Sequence, residues 1–333
     1  MTSTTLPLKP IKDDFVEKLQ ETVDQRADIA RVVQGLADKG LKNVYFVGAG
    51  GSLICSYPAH YILQARSAVP AFQLQSDELN CQTPRLMGEG SLVVLASYTG
   101  TTKETVAAAK TAKATGATVI AVAKEGSPLA EAVDVAFRGK SDLFELLVAY
   151  AVLQAAGELP ESADVDAAVQ ALPKALLSAV EQSEERLAAV AAAYKDAPFT
   201  YVLASGPSYN WAYGFAMCFL QEMQWKQAAG YNSGEFFQGA FEMVQEDTAV
   251  ILWLGEDASR PMGERARRFL ETYAPAHQVI DVKELELPGV PEAVRGDLSP
   301  LVIGALADRL AQHYESQRGH DLETRRYMFK VDY

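Results

Sequence analysis

Val44-Tyr45-Phe46-Val47-Gly48-Ala49-Gly50-Gly51-Ser52 is the stretch that decides the fold. A run of β-branched and aromatic residues describes a strand, and the glycines behind it allow a tight turn into the helical pattern of residues 53–65. Upstream, Val16, Leu19, Val23, Ile29, Val32, Val33 and Leu36 fall at helical spacing, which predicts one amphipathic helix over residues 15–39, closed by Gly40. Downstream, strand-like runs at 92–96 and 118–122 flank a helical stretch at 103–115, and 144–153 reads as a buried helix. This alternation predicts an α/β fold, a doubly wound parallel sheet flanked by helices.

The second half repeats the first. Residues 199–204 followed by Ser205-Gly206-Pro207-Ser208 mirror the opening strand and its glycine turn. Glu78 lies 28 residues beyond Gly50 and Glu235 lies 29 beyond Gly206, while Ser97 and Trp253 each end a strand 47 residues beyond their glycine. Two tandem copies of one α/β unit account for this spacing. The polar stretch 157–166, with Pro160 and several acids, sets the expected boundary: a first domain at 1–156 carrying the N-terminal helix, and a second at 157–333 with the C-terminal tail.

The 333 residues are 49% hydrophobic and 22% charged, a globular composition, with a formal net charge of -13. That charge argues against nucleic acid as a partner, whereas a small anion can still be held by hydroxyls and backbone N–H groups at a helix start. Cys55, Cys81 and Cys218 are an odd, scattered set that suggests neither a disulfide framework nor a zinc site, and fits a reducing compartment. Neither a signal-peptide core nor an apolar run of membrane-spanning length is evident, so a cytoplasmic protein without a membrane partner is expected. No cofactor is expected either. The GxGxxG register fails at Leu53, and His60, His277, His313 and His320 show no metal-ligand spacing.

Ser97-Tyr98-Thr99-Gly100-Thr101-Thr102 sits between a strand and a helix. One hydroxyl there would read as a helix cap; the three of Ser97, Thr99 and Thr102, with a glycine among them, read as a cradle for phosphate or sulfonate. Ser52 is a further hydrogen-bond donor on the first glycine turn, where Gly50 and Gly51 would admit a sugar close to the backbone; the motif reads equally as a tight strand-to-helix turn without a ligand. Glu222 follows an apolar run, Phe215 to Leu220, in a helix expected over residues 211–227. A carboxylate set among apolar side chains loses hydration and becomes a better general base, but a lone glutamate in such a helix more often lies on the solvated face, and the residues alone favour that reading. Glu235, paired by the repeat with Glu78, suggests a shared structural role, accepting hydrogen bonds from loop N–H groups. Lys330 stands in a basic and aromatic tail, Arg325 to Lys330, whose density suggests docking. Gly50, Gly51, Tyr98, Glu235 and Lys330 complete the candidate substrate contacts.

The glycine-serine turn, the 97–102 loop, Glu222-Met223-Gln224-Trp225, the 233–239 loop, Glu264-Arg265-Ala266 and Arg325-Arg326-Tyr327 together resemble tandem SIS-domain enzymes, from about Gly40 onward. The likeness is nearest to deglycases of 6-phosphorylated Amadori compounds and more distant to the isomerase domain of glucosamine-6-phosphate synthase. It implies that Ser97, Thr99 and Thr102 hold the sugar's anionic group, that Glu222 moves a proton between C1 and C2, and that the protein is a homodimer with its active site at or near the subunit interface. The family histidine sixteen residues after the glutamate falls on Gln238, which can hydrogen-bond but cannot exchange a proton near neutral pH. A deglycase must assist a departing amine, so this departure favours an aldose–ketose isomerase of a 6-phospho or 6-sulfo hexose, sulfoquinovose among the candidates, with a deglycase or a non-catalytic sugar-phosphate sensor as alternatives. His60, His320 and Lys330 are the residues available to replace the histidine.

Overall fold

The computed structural model describes residues 5–328 and 330–332; Phe329 of the basic tail lies outside the described residues. The chain forms two compact units. One comprises residues 14–173, and the other the remainder from Lys174 together with the N-terminal segment 5–13. The division falls at Pro173, inside a long helix, rather than in the polar stretch 157–166 where the sequence suggested it. Residues 5–13 carry no periodic signal. They are held in the second unit by Leu6, whose carbonyl and N–H both bond Ser316, and by Lys9, paired with Glu315 at 2.7 Å.

In chain order the N-terminal unit runs α1 (Phe15–Val23), α2 (Arg26–Ala37), β1 (Asn43–Gly48), α3 (Gly51–Arg66), β2 (Ala71–Gln75) and α4 (Ser76–Cys81). It continues with β3 (Ser91–Ser97), α5 (Lys103–Ala114), β4 (Thr118–Ala123), α6 (Pro128–Ala132), β5 (Val135–Phe137) and α7 (Ser141–Ala155), and α8 (Ser162–Tyr194) carries the chain onward. The five strands are all parallel in the order β2-β1-β3-β4-β5. β1 and β3 are buried along their whole length, the burden of a sheet covered on both faces.

The single helix expected over residues 15–39 is two. Where α1 ends, Thr22 Oγ1 accepts the N–H of Lys140 and the Gln25 amide bonds both the carbonyl and the N–H of Arg138. The break therefore satisfies backbone groups of the β5–α7 turn that a continuous helix would leave unpaired.

The C-terminal unit contains β6 (Thr200–Ala204), α9 (Tyr209–Gly214), β7 (Ala228–Asn232), β8 (Ala249–Leu254), α10 (Arg260–Tyr273), β9 (Gln278–Asp281) and α11 (Arg295–Arg318). Its strands are again all parallel, ordered β7-β6-β8-β9, which is the order of the first four strands of the other unit. The repeat seen in the sequence is thus a repeat of topology. Each sheet packs its own apolar cluster, around Val93, Leu95 and Val119 in one and Leu203, Val250 and Leu252 in the other. Among the described residues, no helix is long and apolar enough to cross a membrane.

One core residue opposes this packing. Glu145 in α7 is fully buried and both carboxylate oxygens lack a hydrogen-bond partner among the described residues. Burial, with Asp142 nearby, pushes its carboxyl well above the ordinary range, so the folded state holds it protonated where the unfolded chain would ionise it. Such a raised acid destabilises the fold increasingly as pH climbs above the usual carboxylate value of 4.5. Glu145→Met should stabilise the protein by about 1–3 kcal/mol at pH 7, and in urea melts the stability gap between Glu145→Gln and wild type should widen from pH 4 to pH 7; a gap independent of pH would contradict the assignment.

Candidate functional site

In the N-terminal unit, β1 and β3 are neighbours, so the glycine turn after β1 and the hydroxyl loop after β3 emerge at one edge of the sheet. This brings Gly50, Gly51, Ser52, Ser97, Tyr98, Thr99 and Thr102 to the same carboxyl-end edge, where parallel α/β sheets hold ligands. Ser97 is buried at the strand end, its Oγ 3.0 Å from Thr102 Oγ1 and accepting the Gly100 N–H at 3.1 Å. Thr99 Oγ1 lies 2.7 Å from Thr101 Oγ1 and accepts the Thr101 N–H. Thr102 opens α5 without using its hydroxyl as a cap, so that hydroxyl is not committed to the helix. Gly100 has φ 69°, and a Cβ there would fall 1.9 Å from Ser127 Oγ at the start of α6. The loop can wrap this tightly only with glycine at that point. Tyr98, by contrast, is 89% exposed.

In the C-terminal unit the helix expected over residues 211–227 is not regular. α9 gives way at Phe215 to nine residues of π-helix, Phe215–Met223, with Glu222 in the last turn. Two residues on, Trp225 adopts φ 52°, and it is the only described non-glycine residue with positive φ. An aromatic residue there carries about 1–3 kcal/mol of strain, a cost that persists where surrounding contacts enforce it. The contacts are visible: Arg326 lies over the Trp225 ring at 4.3 Å, and the His320 ring meets its edge at 4.7 Å.

Glu222 faces an open cavity of about 640 Å³ walled by Phe199, Trp225, Lys226 and the tail residues Arg325 to Met328. Its carboxylate pairs with Arg325 at 3.0 Å and its side chain is 24% exposed. Burial pushes the carboxyl up, against the pull of Arg325, and the net direction is upward. Cys218, on the same π segment, is pushed up to about 12 by burial and by Glu222, which leaves it an inert thiol. Phe199 and Ala228 stand where β6 and β7 begin, so Glu222 occupies the amino-end edge of its sheet.

Gln238 belongs to the opposite edge. It closes a 3-10 turn, Glu235–Gln238, beyond the end of β7, is exposed, and does not line the Glu222 cavity. Glu235 is exposed as well. The acceptor that organises its loop is Asn232, whose Oδ1 takes the Gly234 N–H at 2.8 Å; in the other unit Gln75 Oε1 takes the N–H groups of Asp77 and Glu78. The shared role expected of Glu78 and Glu235 thus falls to the amides preceding them, whose side chains turn back on the N–H groups that follow. Lys330 is exposed and its ammonium bonds the Arg325 carbonyl. His60 is half-buried within α3 of the N-terminal unit, whereas His320 touches Trp225.

Sequence reasoning missed Lys226. It is buried, lines the Glu222 cavity, donates to the carbonyls of Lys195 and Ala197 at 3.1 and 2.8 Å, and is pushed down to about 8 by burial and by Arg318. Helical spacing would set Lys226 one turn beyond Glu222, but the helix ends at Met223, and the carbonyls of Lys195 and Ala197, distant in sequence, are what hold Lys226 inside.

Two parallel α/β units of matching strand order are the architecture of tandem SIS domains. The SIS domain family matches residues 37–149, within the N-terminal unit. Over 94% of its length, and 99% of the relative's, the chain is 32% identical to the fructosamine deglycase FrlB of Bacillus subtilis (strain 168). It is 24% identical to the fructoselysine 6-phosphate deglycase of Escherichia coli (strain K12), covering 95% of this chain and 94% of that one. A solved Bacillus subtilis structure described as a proposed phosphosugar isomerase superposes with a TM-score of 0.88 at 31% identity, over 94% and 99% of the two chains. The chain belongs to the SIS-domain family.

Gly100→Ala should destabilise the protein by about 2 kcal/mol or more, since it meets both a left-handed backbone and a filled space; a thermal melt indistinguishable from wild type would refute this account of the loop. A Glu222-dependent activity should rise with pH through an apparent pKa above the ordinary 4.5. Because Arg325 pulls that value down, Arg325→Gln should move the acid limb of the pH–rate profile to higher pH, and an unmoved or more acidic limb would show that the pair does not tune the base.

Proposed function

We propose that the protein is an aldose–ketose isomerase acting on the opened form of a hexose that carries a tetrahedral oxyanion at C6, phosphate or sulfonate, with a sulfoquinovose-type sugar among the candidates. Ser97, Thr99, Thr102 and Ser52 take the anion, with Gly50, Gly51 and Tyr98 beside them. Glu222 is the base that removes a proton at one of C1 and C2 and returns it at the other. The observation that carries the reading is the setting of Glu222: a carboxyl raised by burial, at the end of a π-helical turn, facing an open cavity. A base matched toward neutral pH is what enediol chemistry requires. Gln238, at the far edge of the sheet from Glu222, serves the neighbouring subunit's site in a homodimer and orients substrate without exchanging a proton.

A second reading has its own support. Two relatives matched over nearly their whole length, from Bacillus subtilis and Escherichia coli, carry the name deglycase, which favours cleavage of a 6-phosphorylated Amadori compound. That reaction needs an acid for the leaving amine. In it Lys226 fills the place that Gln238 does not, since two of its three N–H donors are used on backbone carbonyls and its pKa of about 8 leaves it mostly protonated near neutral pH.

The test is to screen 6-phospho and 6-sulfo hexoses, and 6-phosphorylated Amadori adducts, by NMR in D2O. The isomerase reading expects deuterium at C1 or C2 and no amine; release of an amino acid with hexose phosphate would replace it by the deglycase. Glu222→Gln should reduce turnover about 10²–10⁴-fold while ligand binding persists, and unchanged exchange would move the base elsewhere. Ser97→Ala with Thr102→Val should instead act on KM for the anionic substrate, raising it about tenfold or more.

A further inference from the structure

The two units repeat the same glycine turn but fill it differently. Gly50 after β1 and Gly206 after β6 share φ 55°. Around Gly50 there is open space, with no atom within 4 Å of where a Cβ would stand. At Gly206 that position lies 2.4 Å from Asp257 Oδ1 and 2.2 Å from Ser259 Oγ. Asp257 comes from the loop after β8, the counterpart of the loop after β3 that carries Ser97, Thr99 and Thr102. Counted back from the helices that follow, α5 and α10, Asp257 takes the place of Gly100. Where the first unit has a glycine, the second has a carboxylate, and the carboxylate occupies the hollow.

The lining of that hollow is suited to an oxyanion. Asp257 Oδ1 accepts the Ser259 N–H at 2.8 Å, and Oδ2 lies 2.9 Å from the Cβ position of Gly255, where Ser208 Oγ stands at 3.0 Å. Ser208 and Ser233 are fully buried at the ends of β6 and β7, and their hydroxyls, with that of Ser259, have no hydrogen-bond partner among the described residues. Buried hydroxyls without partners are costly unless something polar belongs beside them. The neighbouring charges are already committed: Arg260 is paired with Asp281 and Glu264 and bonds the Gly255 carbonyl, and Arg295 grips Glu256 in three bonds. Asp257 is therefore the charge left to fill the hollow, and it does so through the Ser259 N–H, leaving the serine hydroxyls unpartnered among the described residues.

We propose that the C-terminal unit retains a second tetrahedral-oxyanion cradle, built from the Gly206 turn, Ser208 and Ser259, and that Asp257 closes it by acting as a tethered stand-in for the anion. The protein then takes a phosphate- or sulfonate-bearing ligand in the N-terminal unit alone, and removing the carboxylate opens the second cradle to the same chemistry. The inference uses the 97–102 loop as a template but does not need Glu222 to be the base.

The experiment counts inorganic phosphate bound per full-length chain at saturation by equilibrium dialysis. Asp257→Ser keeps an acceptor for the Ser259 N–H, and Asp257→Gly recreates the residue of the first loop. Each is made in the wild-type background and in Ser97→Ala/Thr102→Val. The expected result is a gain of one phosphate per chain over the matching parent in both backgrounds. Should a variant melt early, added phosphate must raise its melting temperature while leaving the parent with Ser97→Ala/Thr102→Val unmoved, because a free anion then replaces the tethered one. No gain in stoichiometry, or no recovery of stability, overturns the proposal. If the wild type binds no phosphate yet the Asp257 variants still gain one, the anion role of Ser97, Thr99 and Thr102 fails and the second cradle stands.

Discussion

The tail residues Arg325 and Arg326 hold the catalytic candidate in place by two electrostatic contacts on neighbouring residues. One guanidinium pairs with Glu222, the other lies over the face of Trp225. A cation over an indole face contributes about 0.5–2 kcal/mol, the same order as the strain of holding Trp225 in the left-handed region. That balance lets the π-helical segment end abruptly at Met223 and turn Lys226 inward. A regular α-helix through residues 215–227 would present Glu222 and Lys226 on one stripe of its own surface. The irregular one sets them on the walls of a cavity that the tail completes.

The same tail explains why Glu222 can be both raised and paired. An isolated buried carboxylate would simply protonate, whereas one held against an arginine in full desolvation would stay ionised and be a weak base. Here partial burial outweighs a partner that is itself mostly buried, and the net direction of the carboxyl is upward. Glu145 shows the other limit: complete burial with no partner, and a carboxyl driven far from its ordinary value. Lys226 is an intermediate case of opposite charge, lowered by burial yet tied to two carbonyls.

Repetition of the α/β unit gave the two halves freedom to diverge at their loops. Strand order and the geometry of the first glycine turn are kept, because they follow from packing helices on parallel strands. The loop after the third strand of each sheet is free of that constraint. Hydroxyls fill it in one unit and Asp257 in the other, and the difference decides which hollow is open.

Much of this was legible before any coordinates. The buried strands declare themselves as apolar runs and the hydroxyl loop by residue type, whereas Glu222 stood out only through the resemblance to the family. β2 and β7 do not: Ala228-Ala229-Gly230-Tyr231-Asn232 has little β preference, and only pairing with β6 makes it a strand. The break between α1 and α2, the attachment of residues 5–13, and the division at Pro173 depend on partners a hundred or more residues away. By itself the sequence determined the alternation of strands and helices, the repeat and the residue types at the site, since these follow from local periodicity and composition. Only the tertiary structure decided that Arg325 meets Glu222, that Trp225 is strained, that Gln238 stands at the far edge of the sheet from Glu222, and that Asp257 occupies the second turn, because distances between segments far apart in the chain are set by packing and leave no local mark.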